Sequence, residues 1–448
     1  MFLKLSKFFL HTSVFAVVLV AGSNYFPFIG VKYYFFRWVI EFAVICTLLW
    51  WAFERGNLGE RLKNAFNKPI VWAVSAFTAA YTLAALFAWD VHSAIWSNFE
   101  RGEGAFQMIH YYLFFLLLVT LFEDERDWKI LFRSSLVAAT LMIFYGLAAA
   151  IGASGFLGPY FSHPELNTPT LWSRLVEPQY RFQGSLGNPA YVSIYLIFVS
   201  FFGMWLWFSK KRDWLGHFSY LLLIAFFFLF FWLAGTRGAM LGLIVGALAY
   251  LGYLCVYGQK KLRIIAVLIL FGLFLLGALA FGLRDRSFIK QMPGSRLLFL
   301  DFGEATAQTR FWTWGSAWRG FKERPILGWG PENFTTVFDK YFDARHFVPG
   351  ENRETWFDRA HSVFFDYLSE TGIVGLLAYL SMFAAFYWQL WKRGLREHPL
   401  MTGLLVAMPV AYFVQALALF DVLPIYINLF ILLAFGVHIL RGNKNPVR

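Results

Sequence analysis

The chain has 448 residues, of which 59% are hydrophobic and only 15% are charged. Because a soluble domain carries about 25% charged residues, this composition excludes an ordinary soluble protein and indicates a chain solvated mostly by lipid. The net charge of +12 does not indicate a nucleic-acid partner, since the basic residues fall in short segments between apolar runs and report membrane topology. Cys46 and Cys255 lie inside apolar runs, so we expect buried thiols and neither a disulfide framework nor a metal site.

In chain order, twelve segments are apolar enough to cross a bilayer, for which about 20 mostly apolar residues are needed. The predicted spans are 8–28, 34–53, 70–89, 105–122, 130–152, 189–208, 217–234, 238–257, 263–283, 373–391, 400–419 and 424–440. The first is interpreted as a retained helix, because no small-residue cleavage site followed by a soluble domain is evident.

We therefore predict an all-α polytopic membrane protein with about twelve transmembrane helices. Residues 1–283 hold the first nine, 284–372 form one large extracytoplasmic loop with amphipathic helices, and 373–448 hold the last three and a cytoplasmic tail.

Basic residues are distributed unevenly between the two sides of the membrane. Each segment predicted to lie inside carries at least two of them, as in 210–212 and 260–263, whereas the short outside loops carry single ones such as Lys32 and Arg237. The positive-inside rule therefore predicts that both termini are cytoplasmic and that the large loop is outside. Because a long irregular loop is uncommon unless it is functional, we expect the protein to do its chemistry on that side.

Four arginines lie where predicted spans meet the outer surface: Arg101, Arg181, Arg237 and Arg310. Arg237 is the clearest candidate among them, because it lies on the turn Gly235–Gly238 between two apolar spans. A guanidinium presents a planar fork of donors that suits phosphate or carboxylate. A single such arginine would be a snorkelling residue or a lipid-headgroup contact, but several on one face favour a polyanionic ligand such as a diphosphate.

The sequence predicts no cofactor and no metal. It contains no Gly-Lys-Ser/Thr phosphate loop and no paired carboxylates of the kind that hold Mg²⁺. Arginines would then supply the positive charge that a metal supplies elsewhere. Three further histidines are isolated in the sequence and are interpreted as loop residues: His92, His163 and His346.

His361 is the candidate for proton transfer, because an imidazole at the membrane surface titrates near neutrality and accepts a proton from a hydroxyl. We predict that it begins a helix ending at Glu370, with Gly372 as the cap. Asp358 would orient the ring if that helix extends back, while Glu370 would face away. The alternative is an interfacial or helix-capping histidine.

Two other features have mainly structural interpretations. Arg37 and Glu41 are four residues apart in the second predicted span, so they are expected to pair or to lie near the interface. The tryptophan run 312–318 predicts an amphipathic helix on the bilayer surface, with stacking on sugar rings as the alternative.

Several short motifs occur together in a fixed order. The segment 310–334 contains an arginine, a tryptophan-rich helix and then Pro325–Phe334, with glycines at 328 and 330. Ala360–Ser362, Glu370–Gly375 and the turn at Arg237 complete the set, with weaker signatures at 99–104 and 187–190. Together they resemble the O-antigen ligase/polymerase superfamily, from which the chain departs at Ser362, where asparagine is usual.

This resemblance implies a fold of the type C glycosyltransferase kind and metal-independent glycosyl transfer at the outer face of the bacterial inner membrane. The donor would be a glycan on undecaprenyl diphosphate, and the apolar spans would receive its lipid tail. Mapped by motif, the four arginines named above would bind the diphosphate, and Arg237 would also stabilise the leaving group's charge. His361 would be the general base or would position the acceptor hydroxyl.

The acceptor stays open between three kinds. A ligase transfers the glycan to lipid A–core, a polymerase extends another lipid-linked chain, and a protein O-oligosaccharyltransferase uses a Ser or Thr hydroxyl. A transporter of lipid-linked glycan is a non-enzyme alternative, but it needs a polar path through the spans, where the clear ionic pair is Arg37 with Glu41. A structural scaffold explains neither the arginines nor His361.

Overall fold

The computed structural model describes residues 1–22, 26–150, 181–209, 214–287, 289, 305–347, 349–350, 354–393 and 398–440. Every secondary-structure element in these ranges is helical, in agreement with the predicted all-α class. The α-helices are α1 (Phe2–Thr12), α2 (Gly30–Phe53), α3 (Leu58–Phe66), α4 (Pro69–Leu86), α5 (Val91–Trp96), α6 (Ala105–Leu121), α7 (Glu125–Ala150), α8 (Pro189–Phe208), α9 (Trp214–Ala234), α10 (Arg237–Tyr257), α11 (Lys260–Gly282), α12 (Ala305–Glu323), α13 (Phe334–Lys340), α14 (Val363–Glu370), α15 (Gly372–Arg393), α16 (Pro399–Ala416) and α17 (Leu423–Ile439). Short 3-10 helices occupy Ser13–Val18, Gly184–Leu186 and Ala344–His346.

Within the described residues, nine helices are long and apolar enough to span a membrane: α2, α4, α7, α8, α9, α10, α11, α15 and α16. The protein is therefore a multi-pass membrane protein. Two predicted spans correspond to shorter apolar helices, α6 and α17.

The N-terminal segment differs from its predicted bounds of 8–28. The helix already starts at Phe2, ends at Thr12 and continues as a 3-10 turn to Val18. Its polar start is accommodated because Lys7 donates to Asp127 at 2.6 Å and the terminal amine donates to Glu54 at 2.5 Å.

Helix α17 is the centre of the bundle. Every side chain in it except that of His438 is buried, as expected of a helix that is apolar all round. Its Phe435 packs edge-on against Trp205 and Phe132, with ring centroids 4.8 and 4.9 Å apart. Helix α11 is peripheral, since Ala266 is its one buried residue.

Helices α10 and α16 approach closely through small residues. A Cβ at Gly238 would meet the Gln415 side chain at 2.4 Å, and one at Gly242 would meet the Ala411 carbonyl at 2.5 Å. Glycines four residues apart are the usual solution for close helix contact in a membrane. Arg237 is the first residue of α10. The close contact between α10 and α16 therefore fixes the position of Arg237 relative to α16.

Candidate active site

Two of the sequence motifs are held against each other by their backbones. The N–H of Trp329 donates to the Ser369 carbonyl at 2.9 Å, and that of Gly330 donates to the Glu370 carbonyl at 2.8 Å. Gly328 has φ +68°, and a Cβ there would lie 2.4 Å from the carbonyl carbon of Glu370. Both the left-handed backbone and the close approach require glycine at this position.

The segment before α5 is tied to the same place by Asn333. Its Oδ1 accepts from the Asp90 N–H at 2.8 Å, while its Nδ2 donates to the Asp90 carbonyl at 3.2 Å. The Trp89 N–H also donates to the Trp329 carbonyl at 2.8 Å. Segments around residues 90, 330 and 370 therefore form one hydrogen-bonded unit.

His361 does not begin a helix, contrary to the sequence prediction. Helix α14 begins at Val363 with Ser362 as its N-cap, and His361 has φ +55°. The left-handed conformation is imposed by its neighbour, because the Ala360 N–H donates to Asp366 at 2.7 Å and the Ala360 carbonyl accepts from Trp314 at 2.9 Å.

The imidazole of His361 is held between two aromatic edges. Its ring centroid lies 5.3 Å from that of Phe357 and 5.2 Å from that of Phe420. Nδ1 lies 3.2 Å from the Arg359 carbonyl, which can only accept, so Nδ1 carries the proton and Nε2 is bare. Burial lowers the pKa of His361 to about 4, and the ring is therefore neutral at pH 7.

Asp358 does not orient His361, as the sequence had suggested. Its carboxylate accepts from Arg101, with Nε to Oδ2 at 2.6 Å and Nη2 to Oδ1 at 2.9 Å. The Arg101 guanidinium lies 5.0 Å from the centre of the Phe420 ring, the same ring that touches His361. Phe420 therefore contacts both Arg101 and His361.

Arg310 and Arg237 belong to different helices, α12 and α10, and influence each other electrostatically. Burial lowers the pKa of Arg310, the Glu354 carboxylate raises it, and the positive charge of Arg237 lowers it again. The two guanidinium groups are therefore within electrostatic range. Two like charges within electrostatic range of each other, one of them at a helix N-terminus, favour an anion.

Arg181 supports the turn that precedes Arg237. Its Nε donates to the Ala234 carbonyl at 3.0 Å and its Nη2 donates to Thr236 Oγ1 at 2.8 Å. These bonds give Arg181 a structural role at the turn, and its contact with a diphosphate stays a prediction.

A buried charge network behind His361 was missed by sequence reasoning. The Arg359 guanidinium donates to Glu370 at 3.1 Å and also bonds Glu332. Burial alone would lower the pKa of Arg359, but Glu370 and Asp366 raise it, so the guanidinium stays charged. A local signal existed, since Arg359 directly precedes Ala360 and both carboxylates lie in motifs.

The network continues to the loop 97–104, which precedes α6, through two residues with unusual backbone conformations. Ser97 Oγ donates to Glu332 Oε2 at 2.8 Å. Ser97 and Glu332 have φ +65° and +63°, so two further non-glycine residues with positive φ belong to the charge network behind His361. Such conformations cluster at functional sites.

Two structural expectations need correction, and for the tryptophan helix the structure adds one packing contact. Arg37 and Glu41 do not pair, because Arg37 Nε donates to Gln107 at 2.7 Å and Glu41 bonds His110 Nε2 at 3.1 Å. His346 is not an ordinary loop histidine but is fully buried in a 3-10 turn. Trp314 stacks on Phe365, with centroids 5.1 Å apart, so this part of the tryptophan helix packs on protein.

His92 lies in α5, and His163 is outside the described residues. Across the part of the chain that the structure describes, no group of three or more His, Cys, Asp or Glu side chains has metal-binding geometry.

Comparison with protein families finds one described as O-antigen ligase, which matches residues 222–380. The match contains Arg237, Arg310 and His361, and it ends within α15; Arg101 and Arg181 lie before it. A comparison with curated proteins found no match.

Proposed function

Because this chain belongs to the O-antigen ligase superfamily, we propose that it is an integral membrane glycosyltransferase that moves a glycan from undecaprenyl diphosphate to an acceptor hydroxyl, without a metal. The observation that carries the proposal is the placement of a neutral histidine within electrostatic range of the guanidinium groups of Arg101 and Arg310. This combination suits a reaction that removes one proton and releases one polyanion.

His361 acts on the acceptor side of the reaction. The bare Nε2 takes the proton of the acceptor hydroxyl as its oxygen attacks the anomeric carbon. The Nδ1–H bond to the Arg359 carbonyl, at 3.2 Å, fixes this tautomer and stabilises the imidazolium that forms. The aromatic walls of Phe357 and Phe420 limit rotation of the ring.

The arginines act on the donor side. As the bond from the anomeric carbon to the diphosphate oxygen breaks, negative charge develops on the leaving undecaprenyl diphosphate. Arg237 and Arg310 stabilise that charge, with Arg101 beside His361. Two bonds to Asp358 hold the Arg101 guanidinium in place beside Phe420, the ring that also contacts His361.

The topology follows from charge and from the site. The distribution of basic residues supports a topology with both termini in the cytoplasm of a bacterial cell and residues 284–372 outside the inner membrane. The donor glycan, the acceptor and the lipid bilayer are the proposed partners. This places the reaction where a flipped lipid-linked glycan is accessible.

For the acceptor, lipid A–core, a growing polysaccharide chain and a protein hydroxyl are each compatible with the proposed chemistry. The transporter alternative is less well supported. Arg37 and Glu41, the ionic residues of its polar path, are each hydrogen-bonded to a side chain of α6.

The test uses purified protein, an undecaprenyl-diphosphate glycan, candidate acceptors and EDTA. Wild type should release undecaprenyl diphosphate when an acceptor is present. Arg237→Ala and His361→Ala should each lower the rate at least about 100-fold, the effect of losing a charge stabiliser or a base. Arg345→Ala is the matched control, since this exposed arginine pairs with Asp343, and it should behave as wild type. Arg237-dependent donor binding without release under any acceptor would favour transport instead.

A further inference from the structure

An open groove lies beside the loop 97–104, which precedes α6. It has a volume of about 460 Å³ and runs between α2 and the segment 96–106. Four of its lining rings are largely exposed: Tyr34, Trp38, Trp96 and Phe99. The proposed reaction uses none of them.

The polar groups of this groove include both donors and acceptors. Glu41 Oε1 bonds His110 at 3.1 Å, which leaves Oε2 as an acceptor. Arg37 uses Nε and Nη2 for Gln107 and the Gly102 carbonyl, which leaves Nη1 as a donor. Asn98 accepts the Arg101 N–H through Oδ1 at 2.8 Å, which leaves its NH₂ group as a donor.

The charges of the groove favour a neutral ligand. Arg37 and Glu41 carry opposite charges and both line it, so a phosphate would meet a carboxylate as well as a guanidinium. A polyhydroxylated ring satisfies both, because each hydroxyl donates and accepts. The weakly positive C–H edges of such a ring also suit the negative faces of aromatic side chains.

Membrane-interface tryptophans by themselves need no ligand. Glu41 is different, because its side chain is 47% exposed although it lies eleven residues into the span α2. A carboxylate facing hydrocarbon is costly and by default marks a functional site. A polar ligand in the groove supplies the hydrogen bonds that lipid does not.

We propose that this groove binds a neutral sugar ring of a glycan at the outer surface of the membrane. Trp38 and Trp96 supply stacking surfaces, while Glu41, Arg37 and Asn98 bind hydroxyls. The groove shares the loop 97–104 with the candidate active site: Asn98 bonds the Arg101 backbone, and Ser97 bonds Glu332. This loop therefore connects the groove to the candidate active site. The inference rests on the proposed function in one respect, the source of the sugar. Under that function the sugar belongs either to the donor glycan or to the acceptor glycan.

Binding is tested without turnover, in lipid nanodiscs. The probe is n-octyl β-D-glucopyranoside below its micelle concentration, observed by saturation-transfer NMR, with n-octylphosphocholine as the same-chain control. The sugar-ring protons should receive saturation from wild type. Trp38→Ala and Glu41→Gln should each weaken binding by about tenfold, which equals about 1.4 kcal/mol. Trp51→Ala, an equally exposed tryptophan of α2 outside the groove, should bind as wild type.

The proposal is overturned if both groove variants bind like wild type, or if octylphosphocholine competes equally with the glucoside. Because this readout needs no donor, glucoside binding without any glycosyl transfer would retain the groove and reject the proposed function. In the transfer assay, a raised KM in Trp38→Ala for the acceptor alone assigns the sugar to the acceptor. A raised KM for the donor alone assigns it to the donor. Unchanged KM values for both reject a role in the reaction.

Discussion

The Asp366 carboxylate accepts a hydrogen bond from the backbone N–H of Ala360 at 2.7 Å. Asp366 lies in the first turn of α14 and Ala360 directly precedes His361, so this bond closes the turn that carries the proposed base. A non-glycine residue in the left-handed region costs about 1–3 kcal/mol. The conformation of His361 therefore depends on bonds such as this one.

We expect Asp366→Ala to lower kcat by about 10- to 100-fold, because misplacing a catalytic group by about 1 Å has an effect of that order. Asp366→Asn retains an acceptor for the Ala360 N–H and should recover most of the rate. Steady-state transfer kinetics and thermal unfolding in detergent give the two readouts. Equal loss of kcat in both variants would contradict a positioning role through this hydrogen bond.

The pH dependence should show the low pKa of His361. Burial lowers it from 6.5 to about 4, so the unprotonated base is present throughout the neutral range. We expect kcat/KM to stay level from pH 8 to about pH 5 and to fall below about pH 4. Because the folded-state pKa lies below the unfolded one, His361 contributes stability above pH 6.5 that is lost as pH falls through 4.

Phe420→Ala provides the control for this profile. Removing the ring that contacts His361 at 5.2 Å admits water, so the acid limb should move upward toward pH 6.5. An acid limb near pH 6.5 already in wild type would contradict burial as the cause of the shift.

The Arg359 network should contribute strongly to stability. Arg359→Met leaves the buried carboxylates of Glu332 and Glu370 without their guanidinium, and we expect a loss of about 3–5 kcal/mol. Arg345→Met is the matched control, because Arg345 pairs with Asp343 with 66% of its side chain exposed. Its effect should stay within about 1 kcal/mol. Denaturant unfolding in detergent measures both, and similar values for the two variants would refute the network's importance.

The two acidic partners of Arg101 should differ in importance. Asp358 binds its guanidinium through two bonds with 12% of the carboxylate side chain exposed, whereas Glu100 lies 3.6 Å away and is 37% exposed. We expect Asp358→Asn to destabilise the protein by about 1–3 kcal/mol, and Glu100→Gln to change stability by less than about 0.5 kcal/mol.

Kinetics of Arg101→Lys then test the guanidinium itself. Lysine keeps the charge but lacks the planar fork that spans both oxygens of Asp358. Transfer should fall at least about tenfold. Wild-type kinetics in Arg101→Lys would show that charge alone is sufficient at this position.

Much of the architecture was predictable because it depends on local sequence. Span length and apolarity identify membrane helices within a short window, and the described spans agree with predicted ones. The N-terminal helix was misplaced because Lys7 is tolerated through a bond to Asp127, 120 residues away. His361 was assigned to a helix because the apolar spacing after it is helical, whereas the Asp366 bond to the Ala360 N–H makes the helix begin two residues later, at Val363.

By itself, the sequence determined the membrane class, the helical content and the superfamily, since hydrophobic length and ordered motifs are read along the chain. The tertiary structure decided which charges meet: Arg101 with Asp358, Arg359 with Glu332 and Glu370, and Ser97 with Glu332. Ser97 and Glu332 are 235 residues apart. Contacts of that kind depend on how helices pack and on the desolvation of the groups they enclose, and neither is a property of a sequence window.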